Sequence, residues 1–186
     1  MNLTITDQFD AMVETPTQEG GTLKLAGKFK WWVENPDGSI EAEGEIDNLV
    51  VNAGLNYALS TALGGVALIT PWYIGLVDAA GFSAFVAGDT MSSHAGWTES
   101  AAYSEANRQT WTPSAVSGQA ITNPTPAAFT CNANGTQIKG FFVTSSNTKS
   151  GTTGTLWSEG AFSGGTQTLN TGQLLKCTYT VNAASS

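Results

Sequence analysis

The sequence is poor in charge, in histidine and in cysteine, and each shortage excludes a class of site. Charged residues make up 12% of the 186 residues, about half the usual share. One histidine and two cysteines, without a Cys-x-x-Cys pair, leave too few nitrogen and sulfur ligands for a zinc site. The net charge of −8 disfavours binding to a nucleic-acid backbone. We therefore predict no metal, no cofactor and no nucleic-acid partner.

Targeting signals are also lacking. The first ten residues, MNLTITDQFD, contain no basic region and no apolar run, so we predict no signal peptide. No apolar stretch approaches the ~20 residues that cross a bilayer, so we predict no membrane contact. Synthesis in a reducing cytoplasm favours free thiols, and we predict that Cys131 and Cys177 are packed in the core. A disulfide between them is the alternative.

What the chain does contain predicts an all-β fold with an arm at residues 1–21 and one domain at 22–186. Apolar and polar side chains alternate in 22–34 and again in 39–51, and the turn sequence Asn35–Gly38 separates them. These features predict a first β-hairpin, in which lysines of one strand face acids of the other. Residues 1–47 carry ten acids and three bases, which are either a solvated acidic surface or a means of orienting the subunit on a partner.

One short helix is predicted after this hairpin, at residues 52–63. Its apolar positions are Leu55, Leu59, Ala62 and Leu63, and we expect this face to pack on the sheet, because so short a helix is unstable alone.

The remaining pattern predicts short strands and one long loop. Residues 71–78 read as a buried strand, 79–88 as a loop, and 89–106 as an ordered excursion that Trp97 and Tyr103 pin in place. Further strands are expected at 107–116, 118–123, 126–133, 136–146, 153–159 and 173–183. Asn134-Gly135 predicts a hairpin with a type I′ turn. Strands at this spacing predict an antiparallel β-sandwich, jelly-roll-like in arrangement.

His94 is the residue to test for catalysis, because Asp89 and Glu99 lie within five residues of it, as do two serines. A Ser-His-Asp site needs groups that converge from separate elements, and neighbours along one loop do not supply that. We interpret His94 as a loop histidine that bonds the backbone or stacks near Trp97, and we predict no catalytic residue. An enzyme acting on cell-wall polymer is the rival class, and it would require His94 for turnover.

Aromatic residues lend themselves to two interpretations, as core side chains or as contacts with a partner. Trp31 and Trp32 fall on opposite faces of one strand, so one of them is expected to point outward. The residues that we predict to contact a partner are Trp32, Trp72, His94, Trp97, Glu99 and Tyr103.

The segments NLVVNAGLNYAL, WYIGL and DTMSSHAGWTE, followed by a β-rich half that ends LKCTYTV, resemble a family of small structural proteins of tailed bacteriophages. The resemblance covers most of residues 22–183. It implies a place in the virion and no catalytic residues. It further implies a capsid decoration (cement) protein that binds the major capsid protein, commonly as a homotrimer, assembled in the host cytoplasm. The alternative is a tail or fibre module that binds either another tail protein or a receptor glycan, the glycan being stacked on an exposed Trp97 or Trp72.

Overall fold

Twelve strands and one helix are described in this computed structural model, which covers residues 23–185. The arm predicted at residues 1–21 lies outside the described residues. The strands are β1 (Leu23–Glu34), β2 (Ile40–Asp47), β3 (Leu49–Val50), β4 (Trp72–Asp78), β5 (Glu99–Ser100), β6 (Gln109–Trp111), β7 (Ala120–Thr122), β8 (Ala127–Thr130), β9 (Thr136–Thr144), β10 (Leu156–Ala161), β11 (Gln167–Leu169) and β12 (Leu174–Ser185). The helix α1 (Asn52–Ala62) follows β3.

The first sheet is built around β1 and β12, which pair antiparallel along their whole length, from Leu23 with Ser185 to Glu34 with Leu174. On the far side of β1 lies β2, which completes the predicted first hairpin. On the far side of β12 lie β7 and, further along, β8. Phe29, Trp31 and Val33 of β1 are buried, whereas the alternate lysines are exposed.

The second sheet has the strand order β3–β10–β9–β4–β5, with β11 beside β9 and β6 beside β4. The two sheets face each other across a common apolar core, in which aromatic rings from both sheets touch. For example, the Phe29 ring lies 5.1 Å from that of Phe141. The predicted antiparallel sandwich, with one short helix after the first hairpin, is confirmed.

Both cysteines lie in this core as free thiols, as predicted. Trp31 is buried and Trp32 is half-buried, so Trp32 is the outward member of the pair.

Tyr179 of β12 joins the two sheets at their centre. Its hydroxyl accepts a hydrogen bond from Trp157 Nε1 of β10 at 2.9 Å and one from Asn48 Nδ2 at 2.6 Å. The Tyr179 carbonyl accepts the Trp111 Nε1 proton at 3.0 Å. Because burial disfavours the phenolate, the pKa of Tyr179 is raised. The Tyr179 hydroxyl therefore links the two sheets through fixed hydrogen bonds.

A second, smaller core covers the outer face of the second sheet. It contains Val51, Val77, Met91, Trp97, Phe142 and Leu156, and residues 79–98 supply its outer side. Strand β9 is consequently buried on both faces from Gly140 to Thr144. Residues 79–98, which combine the predicted loop 79–88 with the first part of the predicted excursion 89–106, thus form a third layer of the molecule.

Two local predictions are wrong. Residues 126–133 and 136–146 do not form a hairpin, because β8 pairs with β12 in the first sheet and β9 belongs to the second. Gly135 has a φ of +72°, but Asn134 lacks the positive φ that a type I′ turn requires. The Asn134 side chain instead accepts a hydrogen bond from the Thr171 backbone N–H at 2.9 Å. The turn carries the chain from β8 in the first sheet to β9 in the second.

The second error concerns the helix. Leu55, Leu59 and Leu63 do not pack on the sheet: they are 37%, 53% and 85% exposed. The face that packs contains Gly54, the one buried residue of α1. A Cβ on Gly54 would collide with the Trp157 carbonyl oxygen, so glycine permits a close approach that no other residue allows.

Candidate functional site

His94 is fixed by Trp97 in two ways. Its ring stacks on the Trp97 indole with centroids 3.9 Å apart and planes inclined by 22°. Its Nδ1 atom lies 2.9 Å from the Trp97 carbonyl oxygen, a hydrogen bond in which Nδ1 donates. The interpretation of His94 as a stacked, backbone-bonded loop residue is therefore confirmed.

Trp97 holds the third layer onto the second sheet. It is 2% exposed, and its ring packs against Phe142 with centroids 5.0 Å apart. Its Nε1 proton is donated to Asp89 Oδ2 at 3.2 Å. The same oxygen accepts the Val86 N–H at 3.2 Å, which closes the loop ahead of Asp89.

A second carboxyl group, Glu159 of β10, is buried beside Asp89. Glu159 has no exposed surface, and neither of its oxygens receives a hydrogen bond from the described residues. Burial, together with the negative charge of Asp89, raises the pKa of Glu159 to about 9. At neutral pH Glu159 therefore keeps its proton and can donate a hydrogen bond to Asp89.

Glu99, which directly follows residues 79–98 in the chain, forms a buried ion pair with Arg108. Arg108 Nε donates to Glu99 Oε1 at 3.0 Å, and Arg108 Nη2 donates to Glu99 Oε2 at 2.7 Å. The guanidinium also donates to the carbonyls of Ser146 and Gly151, at 2.9 and 2.8 Å. One residue thus ties residues 99–108 to the loop between β9 and β10.

A shallow hollow of about 240 Å³ brings His94 near Glu99 and Ser150, which come from separate segments. The hydrogen bonds do not connect them as a catalytic relay. Glu99 Oε1 and Oε2 accept bonds from Arg108, and Oε2 also accepts the Ser150 backbone N–H at 2.8 Å. The nitrogen of His94 that bonds is directed to Trp97 and not to a carboxylate. The arrangement builds a rigid loop and supplies no oriented base for a serine.

Within residues 23–185, no three His, Cys, Asp or Glu side chains come together as a set that could hold a metal ion. Asp89 and Glu159 supply only two carboxyl groups. The Trp97 indole N–H donates a hydrogen bond to Asp89 and so takes up a position from which a metal ion would have to bind that carboxylate.

The six residues predicted to contact a partner divide into two groups. Trp97, Tyr103 and the Glu99 side chain lie inside the fold, at 2%, 1% and 6% exposure, and offer no surface to a partner. Trp32, Trp72 and His94 are half-buried. Partner contact by the six stays a prediction, but the exposed surface that it requires exists only at Trp32, Trp72 and His94.

An exposed apolar surface lies elsewhere, on α1 and the segment after it. The outer face of α1 presents Leu55, Leu59 and Leu63 at helical spacing, and residues 66 and 68 continue it. Val66 is 51% exposed and Leu68 is 70% exposed. We call these five side chains the outer leucine face. Its members are Leu55, Leu59, Leu63, Val66 and Leu68.

The sequence pattern identified Leu55, Leu59 and Leu63 as an apolar face, but the prediction that this face packs on the sheet was wrong. An i, i+4, i+8 repeat identifies an apolar face, but the same helix carries Gly54, Tyr57, Ala58 and Thr61 on its other side. Small residues let that side approach the sheet more closely. The leucines are therefore left in water.

Nothing in the described part of the chain forms a helix long and apolar enough to cross a membrane. No protein-family model and no curated protein matches the chain. The resemblance to phage structural proteins accordingly stays a prediction.

Proposed function

We propose that this protein is a non-enzymatic structural protein of a tailed-phage virion, which binds the capsid exterior as a homotrimer and stabilises the shell. The observation that supports this proposal best is the outer leucine face. Soluble monomers rarely expose contiguous large apolar side chains, and such patches mark surfaces that another protein covers. Covering Leu59, Leu63 and Leu68, each more than half exposed, would remove apolar area from water.

The geometry of α1 suits a docking role. A short helix that displays apolar side chains at i, i+4 and i+8 can lie in a groove of another subunit. The helix is rigidly seated, because Gly54 packs directly on the Trp157 backbone, so binding costs little ordering entropy. Binding to the assembled shell would stabilise it by mass action, without any bond being made or broken.

Strand addition at the edge of the first sheet is a less suitable mode. The edge strand β2 exposes Glu41, Glu43, Glu45 and Asp47. Charged side chains on an edge strand oppose pairing with another strand. The acidic edge therefore leaves the outer leucine face as the better contact surface.

The alternative, a tail or fibre module that stacks a glycan, loses one of its two candidate platforms. Trp97 is buried against Phe142 and His94, so neither face of its ring is available to a sugar. Trp72 keeps a half-buried ring. A glycan array in which saccharide binding by the full chain is lost in Trp72→Ala would favour this module over the decoration protein.

Cryo-electron microscopy of the phage particle that carries this chain tests the proposal directly. We expect repeated density on the outside of the capsid, with α1 against a neighbouring subunit. Solution mass of the purified chain is expected to correspond to three copies. Density confined to the tail, or a monomer that does not bind shells, would contradict the proposal.

The contact surface itself is tested with a double variant. Leu59→Ser with Leu63→Ser is expected to weaken binding to purified shells at least tenfold, because apolar anchors near an interface centre carry most of the affinity. The thermal midpoint should hardly change, since both side chains are already in water. Val116→Ser is the matched control, because Val116 is 69% exposed and lies outside the outer leucine face. Equal binding by all three proteins would exclude this surface.

A further inference from the structure

The third layer, residues 79–98, is joined to the rest of the molecule by few polar bonds. Backbone hydrogen bonds to neighbouring segments fix its two ends, at residues 79 and 98. Between these ends, one backbone hydrogen bond of the described chain joins the layer to another element, from the Asn52 N–H to the Ala87 carbonyl oxygen at 2.8 Å. A segment with so few external hydrogen bonds can open as a unit while the sheets beneath it stay folded.

The polar side chains of the layer bond mainly to the layer itself. Asp89 Oδ2 accepts the Val86 N–H and the Trp97 Nε1 proton, both at 3.2 Å. His94 Nδ1 lies 2.9 Å from the Trp97 carbonyl oxygen. These bonds maintain the shape of the layer, but they do not attach it to the second sheet.

Glu159 of β10 is the polar group that the second sheet presents to the layer. It has no exposed surface and lies within hydrogen-bonding reach of Asp89. Both hydrogen bonds that Asp89 accepts from the layer end at Oδ2, so Oδ1 is the oxygen that can accept a proton from Glu159. Two carboxyl groups can bond to each other only while one of them is protonated, and two buried carboxylates repel. One proton therefore decides whether this contact attracts or repels.

Other charges near Glu159 are paired or lie further away. The acids of β2 are exposed to solvent, and neither α1 nor β3 contains a charged residue. The titratable and charged groups on the same side of the second sheet are Asp89 and His94 of the layer, Lys139 of β9, and the paired Glu99 and Arg108. Among these, Asp89 is the group whose charge acts directly on Glu159.

We propose that a single proton, shared between Glu159 and Asp89, holds the third layer on the second sheet, and that loss of this proton to solvent releases the layer while the sandwich stays folded. Release would uncover Phe142 and Leu156, which the layer covers. The outer leucine face takes no part in this device, so the proposal goes beyond the proposed function and does not depend on it.

The direction of the pH dependence follows from where Glu159 holds its proton. In the closed layer the pKa of Glu159 is about 9, and once water reaches the side chain the ordinary value of 4.5 applies. Because the closed form binds one more proton between these values, its advantage is complete below pH 4.5 and is lost progressively up to pH 9. The equilibrium constant for opening should therefore rise about tenfold per pH unit in this window.

Hydrogen–deuterium exchange of the full chain, read by mass spectrometry between pH 6 and pH 9, measures this opening. After correction for the intrinsic pH dependence of exchange, amides of residues 79–98 are expected to open about tenfold more per pH unit. At pH 9 they should exchange at least about tenfold faster than those of β1 and β12, because the layer opens locally.

Glu159→Gln tests the source of the proton, because the amide can still donate to Asp89 and cannot ionise. In this variant the corrected opening of residues 79–98 should stay within about twofold across the pH range. Glu43→Gln, at an exposed position of β2, is the matched control and should keep the native pH dependence. His94→Gln should keep it too, and this variant removes the other side chain of the layer whose residue type titrates near neutral pH.

Met91 gives a second measurement that requires no variant. Its side chain is 2% exposed in the closed layer. Hydrogen peroxide transfers one oxygen atom to the sulfur of an accessible methionine and leaves water, so formation of Met91 sulfoxide reports opening. Relative to free methionine at the same pH, its rate is expected to rise about tenfold per pH unit, in parallel with the exchange of residues 79–98.

Three results would overturn the proposal: equal exchange of residues 79–98 and of β1 and β12, an unchanged pH dependence in Glu159→Gln, or loss of that dependence in His94→Gln. If Glu159→Gln does not fold, as judged by circular dichroism, Met91 in the native chain decides the matter, since a rate of oxidation that stays flat between pH 6 and pH 9 also overturns it. Shell binding is measured separately, so a layer that stays closed at pH 9 leaves the proposed function intact.

Discussion

Glu159 is a residue whose ionisation is strongly coupled to folding. The ordinary pKa of a glutamic acid is 4.5, and burial beside Asp89 raises the pKa of Glu159 to about 9. Between these values the unfolded chain has lost the proton and the folded chain retains it. Because the folded state binds more protons, the free energy of unfolding falls as pH rises through this window, by up to about 1.4 kcal/mol per pH unit.

Glu159→Gln is therefore expected to stabilise the protein under alkaline conditions. The amide cannot ionise and can still donate to Asp89, so the gain should be roughly 2 kcal/mol or more at pH 8 and small at pH 5. Urea unfolding at several pH values measures it. Glu43→Gln, at an exposed position of β2, serves as control. Parallel stability–pH curves for the native chain and Glu159→Gln would contradict the prediction.

Arg108 is the second residue whose loss should be costly. Arg108→Ala leaves Glu99 buried and unpaired, and breaking such a pair typically costs 3–5 kcal/mol. Lys28→Ala removes an exposed pair, in which Lys28 Nζ lies 3.1 Å from Glu45, and should cost far less, because solvent screens the attraction between the two charges. Chemical denaturation of the two variants compares them directly. Similar losses would mean that the buried pair contributes no more than a surface one.

At the scale of single elements, α1 illustrates a conflict between propensity and packing. Alanine is favoured over glycine in a helix by about 1 kcal/mol. At position 54, however, the added methyl group would meet the Trp157 carbonyl oxygen, which belongs to backbone and cannot rotate away. The close contact should outweigh the gain in propensity.

We expect Gly54→Ala to lower the thermal midpoint and Asn56→Ala, at an exposed site on the same helix, to leave it equal or higher. Differential scanning calorimetry on both variants separates the effects. A stabilised Gly54→Ala would mean that the helix can move away from β10 without cost. The same result would weaken the rigid seating on which the proposed docking surface depends.

Element by element, local patterns predicted some features and not others. The alternation of β1 located its buried face, since every second residue must point inward. The Asn134-Gly135 pair correctly predicted a turn. The prediction that the two flanking strands pair with each other was wrong, because a turn signal does not specify which sheet each flanking strand joins. The outward leucines were predicted to be inward for a similar reason: periodicity identifies a face, and only the rest of the fold determines what covers it.

At the scale of the whole molecule, the third layer was the feature least accessible to sequence reasoning. Residues 79–98 carry little regular structure, but they bury Trp97 and Met91 against the second sheet. Arg108 and Glu159, the ionic residues behind this layer, were not identified as buried from the sequence. The signal that could have found Glu159 is its place as the one acid of residues 106–186, inside the apolar run of β10.

The pairing of β1 with β12 has a consequence for biosynthesis. Because β12 is translated after the other eleven strands of the described residues, β1 must wait until all of them have been made before its principal neighbour exists. Bringing such distant segments together is entropically slow. The nascent chain thus emerges with β1 paired to β2 on one side only, and the first sheet can close only after β12 has been synthesised.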